Sequence, residues 1–136
     1  MRNTKLDLLN AYIGVWKTSG KTASGDVISG RDIYEWVGGC YFLVHKVDVM
    51  FNARRVQSVE ITHYDELDDV FRSQSFDSDG NISISSLQIE ENSISILSDN
   101  QRFNGVFKGD IIAGVWEQFE DNDWKLWMNI TLTRAF

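Results

Sequence analysis

The chain has 136 residues, of which 43% are hydrophobic and 24% charged, enough for one domain spanning 1–136 that buries about two thirds of the surface its unfolded form exposes. A net charge of -7 with scattered lysines and arginines leaves no basic patch for phosphates or anionic lipid, so neither nucleic acid nor a membrane surface is an expected partner. The single cysteine, Cys40, has no partner for an internal disulfide and is expected as a reduced, semi-buried thiol.

The opening stretch MRNTKLDLLNAYIG has one basic residue before an interrupted apolar pattern and no cleavage site, so no secretory signal is expected. No run approaches the ~18 apolar residues of a membrane span, and a cytoplasmic location is the expectation. Leu6, Leu9 and Tyr12 or Ile13 share one helical face, and Thr4 with Asp7 resembles a capping box, which predicts one short helix over about residues 4–12.

From Gly14 the period changes to two. Strand-like runs fall near 14–23, 27–37, 40–50, 55–65, 69–77, 82–88, 93–98, 101–108, 111–120 and 123–134, separated by Gly, Asn and Asp clusters. Ten strands with short links leave no room for crossover helices, so the fold class is all-β: an antiparallel up-and-down meander. A sheet of that size is expected to close into a barrel, since closure removes exposed edges.

Turn positions propose which side chains face inward. A two-residue turn at Gly38 and Gly39 would pair Trp36 with Tyr41, Tyr34 with Leu43, Asp32 with His45 and Gly30 with Val47. The other face would set Arg31 against Lys46; two adjacent cations prefer water, so the first face should look inward. A turn at Asn52 and Ala53 then opposes Val49 to Val56, Val47 to Ser58 and His45 to Glu60, placing Asp32, His45 and Glu60 on one inward rung. In the last hairpin a turn at Asp121 and Asn122 gives one face Phe119, Trp124, Glu117, Leu126, Val115, Met128, Ala113, Ile130, Ile111 and Leu132. For the preceding hairpin, burial of Phe103 and Phe107 favours a three-residue loop over a two-residue turn at Gly109 and Asp110.

The final strand must lie beside the first, which carries Trp16 after Gly14. Arg134 shares the parity of Leu132 and is expected over the Trp16 indole, a cation–π contact of roughly 0.5–2 kcal/mol, with its guanidinium on backbone carbonyls. Gly14 would allow the close approach, and Trp16 would floor the interior under the helix. In these residues the chain resembles the calycin superfamily, the lipocalins and their relatives, whose Gly-x-Trp packs against a late arginine. IGVWKTSG, WVGGCYF, THYDE, SFDSDGN, AGVWEQF and DWKLWMNITLTR are similar to bacterial lipocalin-like proteins of unassigned function, and the resemblance implies a ten-stranded barrel with an interior cavity. Nitrobindins, haem-binding calycins, open with a similar Gly-x-Trp but hold haem through a late histidine; here no histidine follows His63, so no haem or other cofactor is expected.

Five tryptophans and eight phenylalanines suit either a filled core or the walls of a cavity for a flat apolar molecule. On the cavity reading, Tyr34, Trp36, Tyr41, Phe103, Phe107, Trp124 and Met128 are walls, and His45, Glu60, Tyr64 and Glu117 are polar anchors. Glu117 would either hold a ligand's head or stand at the rim. The Asp32, His45 and Glu60 rung would hold a histidine as imidazolium or in one tautomer, as an acid or base, a partial metal site or a satisfied structural network; a one-residue slip would turn it to water. Adjacent His63, Tyr64 and Asp65 point to alternate faces and form no triad. DSDGN lacks a calcium loop's closing glutamate and reads as a hairpin turn. The leading expectation is non-covalent binding of a small apolar or amphipathic molecule by a monomer or homodimer without a metal. The alternatives are a small isomerase, cyclase or lyase using His45 with Asp32 and Glu60, and a filled structural module that dimerises.

Overall fold

The period-two runs form ten strands: β1 Gly14–Thr22, β2 Val27–Trp36, β3 Leu43–Phe51, β4 Arg54–Asp65, β5 Val70–Asp77, β6 Ile82–Glu90, β7 Ser93–Leu97, β8 Gln101–Lys108, β9 Ile111–Glu120 and β10 Asp123–Arg134. In the computed structural model, which describes residues 1–135, each strand pairs antiparallel with the next and β10 returns to β1, closing the barrel. No edge is left unpaired. The N-terminal segment Thr4–Tyr12 is a 3₁₀ helix that buries Leu6, Leu9 and Tyr12 against one end of the barrel. Its cap is Asn3, whose side chain accepts from the Lys5 N–H, while Asp7 pairs with Arg2; the Thr4 and Asp7 capping box does not form.

The β3–β4 register is the one that the turn at Asn52 predicts, with Val49 opposite Val56, Val47 opposite Ser58 and His45 opposite Glu60. Between β2 and β3 the connection is longer than two residues: β3 starts at Leu43, and pairing shifts by two so that Trp36 faces Leu43, Tyr34 faces His45 and Asp32 faces Val47. A shift of two keeps every side chain on its face. It also replaces the expected Arg31 and Lys46 pair with Arg31 opposite Asp48, which removes the repulsion.

The last two hairpins correct the sequence reading. Gly109 and Asp110 form a two-residue turn, with Lys108 opposite Ile111, and Phe103 and Phe107 are nevertheless inward. Their β9 partners are Trp116 and Ile112, so Trp116, Gly114 and Ile112 face the interior, whereas Val115 and Ile111 are exposed. The Asp121–Asn122 turn pairs Phe119 with Trp124 and Glu117 with Leu126 as expected, but on the outer face; a bulge at Trp127 then reverses the parity, so that Met128, Ile130 and Leu132 point in. One extra residue in β10 thereby reconciles two tight turns with an apolar interior on both strands. Gly105 lies opposite Gly114, and a Cβ at Gly114 would sit 2.3 Å from the Phe103 ring. That glycine pair makes the seat on which Phe103 lies.

Candidate functional site

The inward rung is assembled by three neighbouring strands. His45 on β3 lies directly opposite Glu60 on β4 and Tyr34 on β2, and diagonally from Asp32. Its Nε2 stands 2.5 Å from Asp32 Oδ2 and its Nδ1 3.3 Å from Glu60 Oε1. A carboxylate only accepts, so satisfying both contacts requires both ring nitrogens to carry hydrogen: the geometry is that of an imidazolium. The Tyr34 ring stacks on it at 4.0 Å between centroids and 10° between planes. The second oxygen of Asp32 accepts from the Thr18 hydroxyl, and both residues are buried. Glu60 is the most accessible member, with 29% of its side chain exposed against 14% for His45, and its Oε2 has no hydrogen-bond partner among the described residues.

Burial works against charge on His45, but the hydrogen bonds to Asp32 and Glu60 and the two carboxylate charges outweigh it and push its pKa up to about 9. Burial, then the Asp32 and Glu60 charges, hold the Tyr34 phenol well above its ordinary value. The raised His45 pKa thus keeps the imidazole protonated between its two carboxyl partners at neutral pH.

The barrel interior is not filled. A cavity of about 140 Å³ lies on the helix side of the rung, among residues including Leu9, Leu43, Phe103, Ile112 and Leu132. A larger one of about 280 Å³ lies toward the far end, among residues including Ile28, Phe51, Trp127 and Met128. Asp32, His45, Glu60, Ser85, Ile96, Trp116 and Ile130 line both, so the rung stands where the two meet. One wall is hydroxyl-rich: Thr62 and Ser73 bond at 2.7 Å, and Ser75 and Ser83 at 2.5 Å across β5 and β6. The other wall is Trp116 and Trp127 at 6.3 Å between ring centroids. No lysine or arginine lines either cavity.

Of the residues singled out from the sequence, Tyr34, Asp32, His45, Glu60, Phe103 and Met128 line these cavities. The others stand elsewhere. Trp36 donates its indole N–H to Asn10 under Arg2, and Phe107 packs edge-on against Tyr12 and Trp16, so both belong to the sealed end. Tyr41 is exposed in the β2–β3 connection. Tyr64 bonds Asp69 at the helix end, because Asp69 also anchors Lys5. Glu117 accepts from Arg102, whose guanidinium lies 4.3 Å over Trp124; all three are on the outer face, removed from the interior by the β10 bulge. The sequence reading missed Trp116, Trp127 and the β5–β6 serines. The conflict between two tight turns and three inward apolar residues on β10 was the signal for a bulge, and the alternating serines in SQSFDSDGNISIS were the signal for a polar wall.

At the helix end, Trp16 is fully buried and donates its indole N–H to the Tyr12 carbonyl at 2.8 Å. Arg134 lies 4.2 Å over that indole and donates to the carbonyls of Ile13 and Ala11. Gly14, at φ 134°, is where the chain passes under this guanidinium: a Cβ would stand 3.0 Å from Arg134 Nη1. Cys40 is half-buried and unpaired among the described residues. DSDGN is a turn in which Asp77 caps the N–H groups of Asp79 and Asn81.

Among the described residues no group of three or more His, Cys, Asp or Glu side chains is arranged to hold a metal ion, and no helix is long and apolar enough to cross a membrane. No protein-family model and no curated protein sequence matches the chain. Solved structures do. The chain is similar to Rv2717c from M. tuberculosis, with a TM-score of 0.70 at 10% identity over 100% of both chains. It is also similar to a de novo designed fluorescence-activating β-barrel, with a TM-score of 0.54 at 12% identity over 95% of this chain and 98% of that one. At such identities the likeness is one of fold alone.

Proposed function

We propose that the chain binds a small apolar or amphipathic molecule, non-covalently, inside the barrel. The observation that carries this reading is the pair of adjoining cavities with a charged rung at their junction. At the larger cavity the β5–β6 wall presents serines, Ser75, Ser83 and Ser85, rather than side chains large enough to fill the space, and empty apolar space is destabilising unless something occupies it. Trp116, Trp127 and Phe103 offer flat apolar surface, while Glu60 and the serine hydroxyls offer polar anchors. That a barrel of this fold has been designed to activate fluorescence is in keeping with the reading.

An acid–base role for His45 is less well served by the same geometry. Both ring nitrogens are engaged by carboxylates, and with its pKa raised to about 9 the ring is protonated at neutral pH and offers no free basic nitrogen. Native mass spectrometry of gently purified protein, followed by extraction and identification of any small molecule that travels with it, tests the binding reading. A stoichiometric adduct that a Trp116→Ala variant loses is expected. A clean apo mass, together with a compact, fully collapsed interior in solution, would overturn it.

A further inference from the structure

The chemistry of the ligand is written in the charge of the larger cavity. Its wall contains two carboxylates, Asp32 and Glu60, and one imidazolium, His45, and no lysine or arginine completes the balance. Asp32 is fully engaged, by His45 on one oxygen and Thr18 on the other. Glu60 is not: its Oε1 faces His45, and its Oε2 has no partner among the described residues. Glu60 Oε2 is open to the cavity, with 29% of the side chain exposed, and is placed to accept from a donor or a positive charge that enters it. Across the closed sheet, β4 and β9 stand five strands apart, on opposite sides of the ten-stranded ring, so Glu60 on β4 looks toward Trp116 on β9 and the adjoining Trp127.

We infer that the larger cavity selects an organic monocation with a flat aromatic body, the ring lying against Trp116 and Trp127 and its charged nitrogen donating to Glu60. This inference rests on the binding reading above and deepens it. A bound cation gives Glu60 Oε2 a charged donor, which neither a neutral nor an anionic molecule can do. An anion of equal size would be brought beside an uncompensated carboxylate and is excluded.

Three probes sharing one ring separate the outcomes: tryptamine as the cation, 3-propylindole as its neutral isostere and indole-3-propionate as the anion. Isothermal titration calorimetry gives the affinities at neutral pH, and the indole N–H resonances of Trp116 and Trp127 report the place of binding. Tryptamine is expected to bind at least tenfold more tightly than 3-propylindole, with indole-3-propionate weakest. In Glu60→Gln that preference should vanish while 3-propylindole binds as before, which also shows that the variant is folded. If tryptamine binds no better than 3-propylindole to the wild type, or if Glu60→Gln keeps the preference, the cation inference falls and the binding reading stands. If none of the three moves the Trp116 and Trp127 resonances, both fall.

Discussion

At the helix end the ten strands close on a packed floor: Trp16 is fully buried, Arg134 clamps it to the Ala11 and Ile13 carbonyls, and Phe107 and Tyr12 pack edge to face beside it. Beyond the rung of Asp32, His45 and Glu60 the same strands carry serines, half-buried tryptophans and about 280 Å³ of space. The first region is mostly packed aromatic and aliphatic bulk, with the Tyr12 hydroxyl its one buried unpartnered side-chain polar atom among the described residues and the smaller cavity of about 140 Å³ above it. The second gives up packing and keeps an unpartnered carboxylate oxygen. Unfilled volume costs free energy, and the larger share of it lies in the far half. On the proposed binding reading, the far half receives the ligand and the helix half supports the barrel.

Substitutions can break this contrast from either side. The largest effect is expected from Trp16→Ala, which removes a fully buried indole, its bond to the Tyr12 carbonyl and the seat of Arg134; a loss of about 3–5 kcal/mol in urea unfolding follows. A loss below about 1 kcal/mol would mean that the floor is not the structural anchor.

Next comes pH. The His45 pKa is raised from 6.5 in the unfolded chain to about 9 in the fold, so the native state binds the extra proton between those values. Its stabilisation is fully present below pH 6.5 and is lost as pH rises through 9, by up to about 3 kcal/mol. Chemical denaturation at pH 6 and pH 9.5 should show that decline in the wild type and a flatter profile in His45→Gln. Asp32→Asn, which keeps the bond from Thr18 but withdraws one charge from His45, is expected to cost about 2 kcal/mol at pH 6 and much less at pH 9.5. An equal cost at both would assign Asp32 a packing role instead.

The smallest stability effect, about 1 kcal/mol, is expected from Trp127→Ala, because the indole is half-buried at the bulge. Binding of an aromatic probe should fall at least tenfold in the same variant. A large loss of stability with unchanged binding would invert the assignment of the two halves.

Much of this contrast is legible in the sequence, and the remainder is hidden for identifiable reasons. The Trp16 and Arg134 clamp follows from parity and from closure of the sheet, and the His45 and Glu60 pair follows from a two-residue turn that fixes register. The β2–β3 connection is harder, because Gly38 and Gly39 resemble a tight turn while the observed link runs to Phe42; only the evenness of the two-residue displacement keeps Asp32 inside. The bulge at Trp127 carries no glycine or proline to announce it. It exists because Phe103, Phe107, Trp116 and Ile112 on one side, and Met128, Ile130 and Leu132 on the other, cannot all be buried in an unbroken ladder. Glu117 and Trp124 therefore read as interior residues although they lie outside.

The central claim is that the interior is organised around a charged rung, and the ¹⁵N chemical shifts of the two His45 ring nitrogens across a pH titration test it most directly. Both nitrogens are expected to stay protonated through pH 8, with a single midpoint near 9 that Asp32→Asn lowers. A midpoint at or below 6.5, or a neutral ring with one bare nitrogen at pH 7, would contradict the account.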